Sequence, residues 1–222
     1  MSDTDSASAL SYTSDDDLDF YNAFDEVNID VTTLITLISD ITKDSDISTR
    51  YGTIDDWSKI NSNIYYQIID EIEDPVLLKI EKIIEGKKLL VVQEAYDKMI
   101  ELIEGLGSDK EKENMEKLKE RLTVIKSDPS EYFKSLKGSS KQGSSKHWCD
   151  RNVAIFGTSD KYGYFTLTSN ISLIRYIEES KLDLHFEYQL HRSRCFVGVR
   201  NSNEDELLKV NKNDIIDSKL KK

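Results

Sequence analysis

The sequence predicts an α/β protein in three layers, a central, mostly parallel sheet of about five strands with helices on both faces. Short β-branched apolar runs alternate along the chain with stretches whose apolar residues recur at helical spacing. Such alternation implies parallel pairing with right-handed crossovers. One run, Lys88-Leu89-Leu90-Val91-Val92, is nearly all apolar, as a strand covered on both faces must be. The length, 222 residues, suits one domain of ordinary size with tails.

The elements follow in order. Residues 1–19 are mostly Ser, Asp and Thr, with two Leu, too polar to offset chain entropy, and read as a disordered acidic tail. The folded domain is expected over 20–200. Val27–Val31 reads as a strand feeding directly into a helix marked by Leu34, Leu37 and Ile38. Ile60, Ile64, Ile68 and Ile72 share one helical face, and Asp74-Pro75 stops that helix and opens the next, which ends at Gly86. After the Lys88–Val92 strand comes a helix with Ala95, Met99, Leu102 and Ile103, closed by Gly105-Leu106-Gly107.

Ser108 and Glu111 form a capping box for a charged helix. Leu122–Ile125 is a third strand, and Asp128-Pro129-Ser130-Glu131 opens another helix. Gly138–Lys146 is a flexible linker by composition. A helix over 148–158, a strand at Tyr164–Thr168, a helix over 171–179 and strands near 184–188 and 195–199 complete the body. Residues 201–222 read as a polar tail or peripheral helix.

Composition narrows the function. No apolar run approaches the roughly 20 residues that span a bilayer, and the acidic start does not read as a signal peptide, so no membrane partner is expected. Cys149 and Cys195 are read as free thiols in a reducing compartment, cytoplasmic or nuclear. The net charge of −12 argues against a generally basic nucleic-acid binder. Residues 1–50, however, hold 12 acidic and 2 basic side chains, leaving 30 acidic and 28 basic in the rest. The nearly neutral body permits a local basic groove, and the acidic front offers a possible contact for a protein partner.

In a parallel sheet, ligands bind outside the carboxyl ends of the strands. Asp30 ends the first strand, Glu94 lies just past the second, Asp150 starts the helix before the fourth, and Asn170 closes the fourth. Oxygen ligands so placed suit Mg²⁺ or Mn²⁺, which can polarise a phosphodiester and lower the pKa of an attacking water. Each residue also has a plainer reading. Asp30, Asp150 and Asn170 suit helix caps, and Glu94 complements a helix dipole.

Asn28-Ile29-Asp30-Val31-Thr32-Thr33-Leu34-Ile35 resembles the opening of PIN (PilT N-terminus) nuclease domains. Asp150 and Thr168-Ser169-Asn170 resemble the later acidic positions of that fold, and Glu94 the middle one. The likeness is closer still to a eukaryotic family whose PIN-like C-terminal domain has no known function. That likeness is carried by Asp30–Ile35, Gly86–Ala95, Phe156-Gly-Thr-Ser-Asp160, Thr166–Asn170 and His191-Arg-Ser-Arg194.

The resemblance implies a five-stranded parallel sheet and a metal-dependent ribonuclease. Asp30, Glu94 and Asp150 would then hold Mg²⁺ or Mn²⁺, Asn170 would be a neutral ligand or orienting group, and Thr32 and Thr168 would contact substrate, Thr168 also positioning the cluster by hydrogen bonds. Asn170 stands where active PIN nucleases often carry Asp, a loss for which Asp160 could compensate, although Asp160 also suits a turn. The alternative is a catalytically inactive PIN-like module that binds RNA or a protein partner.

Lys134, Lys137, Lys141, Lys146 and Arg151 could grip phosphate beside Asp150, or could simply be solvated. Arg175, one turn into its helix, and His191 and Arg194, beyond the last strand, are further candidates for substrate contact. His147-Trp148-Cys149-Asp150 has no paired zinc spacing, and Trp57 and Trp148 read as core residues.

Overall fold

The computed structural model describes residues 15–43, 62–138 and 147–198. Most of the acidic tail, Ile60, Trp57, Lys141, Lys146, the Gly-Ser linker past Gly138 and the tail over 201–222 lie outside the described residues.

The first described element is a helix, α1 (Asp15–Asn22), so the last residues of the segment that composition assigns to a disordered tail are helical. The reason lies in its last turn. Phe20 and Tyr21 set their rings edge-on against Phe165 of the sheet, 6.1 and 5.6 Å between centroids. Phe24 stacks on the same ring. Tertiary packing thus orders residues whose local composition favours coil.

The chain then runs β1 (Glu26–Ile29), α2 (Val31–Ile38), α3 (Asp40–Lys43), α4 (Ser62–Glu73), α5 (Val76–Ile84) and β2 (Lys88–Val92). It continues through α6 (Gln93–Leu106), α7 (Asp109–Lys119), β3 (Leu122–Ile125), α8 (Glu131–Gly138) and α9 (Asp150–Tyr162). Last come β4 (Phe165–Thr168), α10 (Ile171–Glu179) and β5 (Tyr188–Leu190). None of these helices is long and apolar enough to cross a membrane.

All five strands are parallel, in the order β3-β2-β1-β4-β5. Val27 sits opposite Leu89 on one side and Phe165 on the other, which centres β1 in the sheet. Connections from β1 step outward to β2 and β3, whereas those from β3 return across the sheet to β4 and β5. Right-handed crossovers therefore place the two sets of helices on opposite faces. The switch in direction falls between β1 and β4, where a doubly wound sheet opens its ligand crevice.

Alternation along β1 fits this arrangement. Val27 and Ile29 are fully buried on one face. Asn28 points to the other, where its amide donates to the Ser159 hydroxyl of α9 at 2.8 Å.

Three expectations shift. The last strand starts at Tyr188 rather than near 184, because the His185 amide donates to the Asp160 carboxylate instead of a strand neighbour. Residues 195–198 are not a strand. The Cys195 amide donates to Gln67, the Cys195 carbonyl accepts from Ser39, and the Val197 amide donates to Glu111, so side chains satisfy the backbone there. Ile72 is 60% exposed, while Ile64 and Ile68 on the same helix are buried.

Glu111 does more than close the capping box. Fully buried, it also accepts the amides of Asp40 and Val197, pinning the C-terminal segment to the α3–α7 corner. Burial pushes its carboxyl above the usual range, and the amides from Ser108, Val197 and Asp40 oppose that push. A Cβ at Gly198 would collide with the Ser108 amide and the Leu106 carbonyl, so only glycine permits this docking.

Candidate functional site

The switch-point crevice is built by the β1–α2 and β4–α10 junctions. Asp30 is the N-cap of α2, with extended backbone (φ −84°, ψ 173°). Its Oδ1 accepts the Thr33 amide at 2.8 Å, the bond expected of an N-cap. The Thr168 hydroxyl donates to Oδ2 at 2.6 Å, and the Thr32 hydroxyl lies 2.7 and 2.8 Å from the two oxygens.

Those hydroxyls are themselves held from behind. Thr32 Oγ1 accepts the Ser169 amide and Thr168 Oγ1 accepts the Asn170 amide. One carboxylate thus ties two loops from opposite halves of the fold. Asp30 is 3% exposed, and three residues donate to it.

Thr33 extends the network. Its hydroxyl lies 2.8 Å from the Leu167 carbonyl and 2.8 Å from Nε2 of His191. His191 Nδ1 faces the Arg192 carbonyl at 2.9 Å, which can only accept, so Nδ1 carries the proton. Burial holds the imidazole below its usual pKa, against the raising influence of that carbonyl and of Asp30. The neutral ring leaves Nε2 as an acceptor, which shares the single Thr33 hydroxyl proton with the Leu167 carbonyl and Asp30 Oδ1.

The other expected site residues are placed differently. Glu94, in the first turn of α6, is exposed and accepts the Ser127 hydroxyl at 2.5 Å. Asp150 opens α9 behind Cys149, which is the N-cap in its stead; its side chain is 80% exposed and ion-paired with Lys137. Asn170 caps α10 by accepting the Leu173 amide at 3.2 Å.

Asp160 lies at the far end of α9 from Asp150, buried, accepting the Ser130 hydroxyl and the His185 amide. It cannot stand in for a charge missing at Asn170. Arg194 is likewise no substrate contact, being 3% exposed and bonded through Nε to Glu71 at 2.9 Å. Arg151 is half-buried in the first turn of α9, Arg175 is exposed on α10, and Lys146 lies outside the described residues.

The Phe156-Gly-Thr-Ser-Asp160 run has a packing explanation. Phe156 is fully buried, and a Cβ at Gly157 would lie 2.7 Å from Pro129 and 2.8 Å from Phe133. Thr158 accepts the Asp128 amide, and Ser159 bridges Asn28 and Thr166. Each residue locks α9 to a neighbour.

A model of a family described as a protein of unknown function, DUF1308, matches residues 27–203. The chain belongs to the DUF1308 family. The match covers the sheet from the second residue of β1 onward and both loops of the crevice. No solved structure matches it significantly.

Mg²⁺ or Mn²⁺, implied by the PIN resemblance, would need several oxygen ligands together with retained waters. Asp30 is buried beneath its own donors. Among the described residues no three His, Cys, Asp or Glu side chains form a group that could hold a metal ion. The donor set as arranged does not fit the ion.

Two residues that the sequence reading did not single out for the site lie at the same edge. Thr33 joins Asp30 to His191, a role foreshadowed only by its place beside Thr32. Tyr176 stacks on His147, and nothing in the sequence pairs the two.

Proposed function

We propose that this DUF1308 protein is a PIN-like module that binds single-stranded RNA along the carboxyl edge of its sheet, in an arrangement not set for metal-dependent cleavage. The carrying observation is Asp30. The acid that would anchor a PIN-type metal centre is an enclosed structural cap, accepting from Thr33, Thr168 and Thr32. The same edge keeps an exposed cation, Arg175, with no ion-pair or hydrogen-bond partner among the described residues. An exposed guanidinium at the mouth of a switch-point crevice suits a phosphodiester backbone.

A second reading, the metal-dependent ribonuclease, is favoured by Glu94 and Asp150. Among the described residues each is held by one side-chain partner at the surface, half-buried Ser127 or exposed Lys137, and such contacts are weak enough to exchange for a ligand.

Fluorescence anisotropy of labelled single-stranded RNA, in EDTA and then in Mn²⁺, separates the two. The binding module gives EDTA-resistant, salt-sensitive binding and no Mn²⁺-dependent cutting. Cutting in Mn²⁺ that Asp150→Asn abolishes establishes the nuclease instead, and absence of binding in both buffers removes the RNA reading.

A further inference from the structure

Beside the crevice, α10 presents Ile171, Arg175 and Glu179 on one exposed face at successive turns, while Leu173, Ile174 and Ile177 face the core. That face and His147, in the loop before α9, line an open groove of about 460 Å³. The His147 ring stacks on Tyr176 with centroids 4.9 Å apart and planes within 17°.

The pair is anchored from behind. Tyr176 meets Trp148 edge-on at 5.7 Å, Trp148 meets Phe133 edge-on at 5.5 Å, and Trp148 and Phe133 are buried. The Asn152 amide holds the His147 carbonyl at 2.9 Å, fixing the loop. The result is a supported two-ring platform lining a polar groove. Arg175 and Ser172 supply donors, and Glu179, one turn beyond Arg175, supplies an acceptor.

These groups match the parts of a nucleotide. An aromatic platform takes a base face, a guanidinium and a hydroxyl take a phosphate, and a carboxylate takes base N–H donors. We propose that this groove is a single-nucleotide subsite, with the base against the His147–Tyr176 platform, the phosphate on Arg175 and Ser172, and a base carrying N–H donors, guanine foremost, turned toward Glu179. The inference rests on the RNA-binding reading above and names the place where that strand is gripped.

The test is anisotropy with a labelled, guanine-containing eight-nucleotide RNA, with 5′-GMP as competitor and Trp fluorescence as a direct readout of 5′-GMP binding. Arg175→Gln and Tyr176→Leu are each expected to weaken RNA binding by about tenfold or more. Lys110→Gln, on the outer face of α7, leaves it unchanged. Arg175 is exposed, so its variant reports on the groove even if Tyr176→Leu lowers stability.

RNA held equally by wild type and both groove variants overturns the subsite while leaving the RNA reading intact. Saturable 5′-GMP binding lost in Arg175→Gln, without RNA binding, keeps the subsite and overturns the RNA reading. Failure of both ligands to bind overturns both.

Discussion

Asp30 and Asp150 look alike on paper: each stands at a junction leading into an apolar helix near the carboxyl edge of the sheet. In the fold they have opposite surroundings. Asp30 is 3% exposed and accepts hydrogen bonds from both sides of the switch point. The Asp150 side chain is 80% exposed and pairs with Lys137. Donors and burial, more than residue type or position, decide whether a junction acid is structure or available chemistry.

Breaking the Asp30 side gives the largest effect. Asp30→Ala removes the cap of α2 and leaves the Thr33 amide and the Thr168 hydroxyl without their acceptor. A loss of about 3 kcal/mol or more is expected in urea unfolding. A loss below about 1 kcal/mol would show that the network is not the tie between the two loops.

Gly157→Ala tests the helix that carries Asp150 and Asp160 at its two ends. The added methyl meets Pro129 and Phe133, so about 1–3 kcal/mol of destabilisation is expected in the same measurement.

His191 sharpens the comparison through pH. Its folded pKa is depressed by burial, so the unfolded chain takes up the proton first. The associated stability is present above the ordinary histidine value, near pH 6.5, and is lost as pH falls from there toward the folded pKa, at a limiting slope of about 1.4 kcal/mol per pH unit. Replacing the group by His191→Gln should flatten that acid slope in urea midpoints taken from pH 7 to 5.

Lys137→Ala, on the exposed side, should change stability by about 0.5 kcal/mol or less. A larger cost would make the Asp150 pair structural and erase the contrast. Cys195 offers a related check. Burial, then the charge of Glu111, pushes its thiol up to about 11, so alkylation at pH 8, followed by peptide mass mapping, should be slow in the folded protein.

Much of the frame was legible from local rules. The Ser108–Glu111 capping box, the Leu122–Ile125 strand, the α10 helix at 171–179 and the left-handed Gly86 after α5 all stand where spacing and turn chemistry put them. The start of β5 and the course of residues 195–198 were not legible. Asp160 takes the amide at 185, and Glu111, Gln67 and Ser39 satisfy the backbone at 195–197 from other elements. Long-range side-chain acceptors leave no periodic signal in the segment they hold.

The chain order of short apolar runs and amphipathic stretches fixed the α/β class, the parallel sheet and the set of junction residues, because periodicity and capping act within a few residues of sequence. Only the tertiary structure decided which junction side chains are enclosed and which stay open. Thr32, Thr33 and Thr168 close around Asp30, Lys137 meets an exposed Asp150, and Tyr176 finds His147. Burial and donor count are properties of neighbours brought together from distant parts of the chain, and no local pattern encodes them.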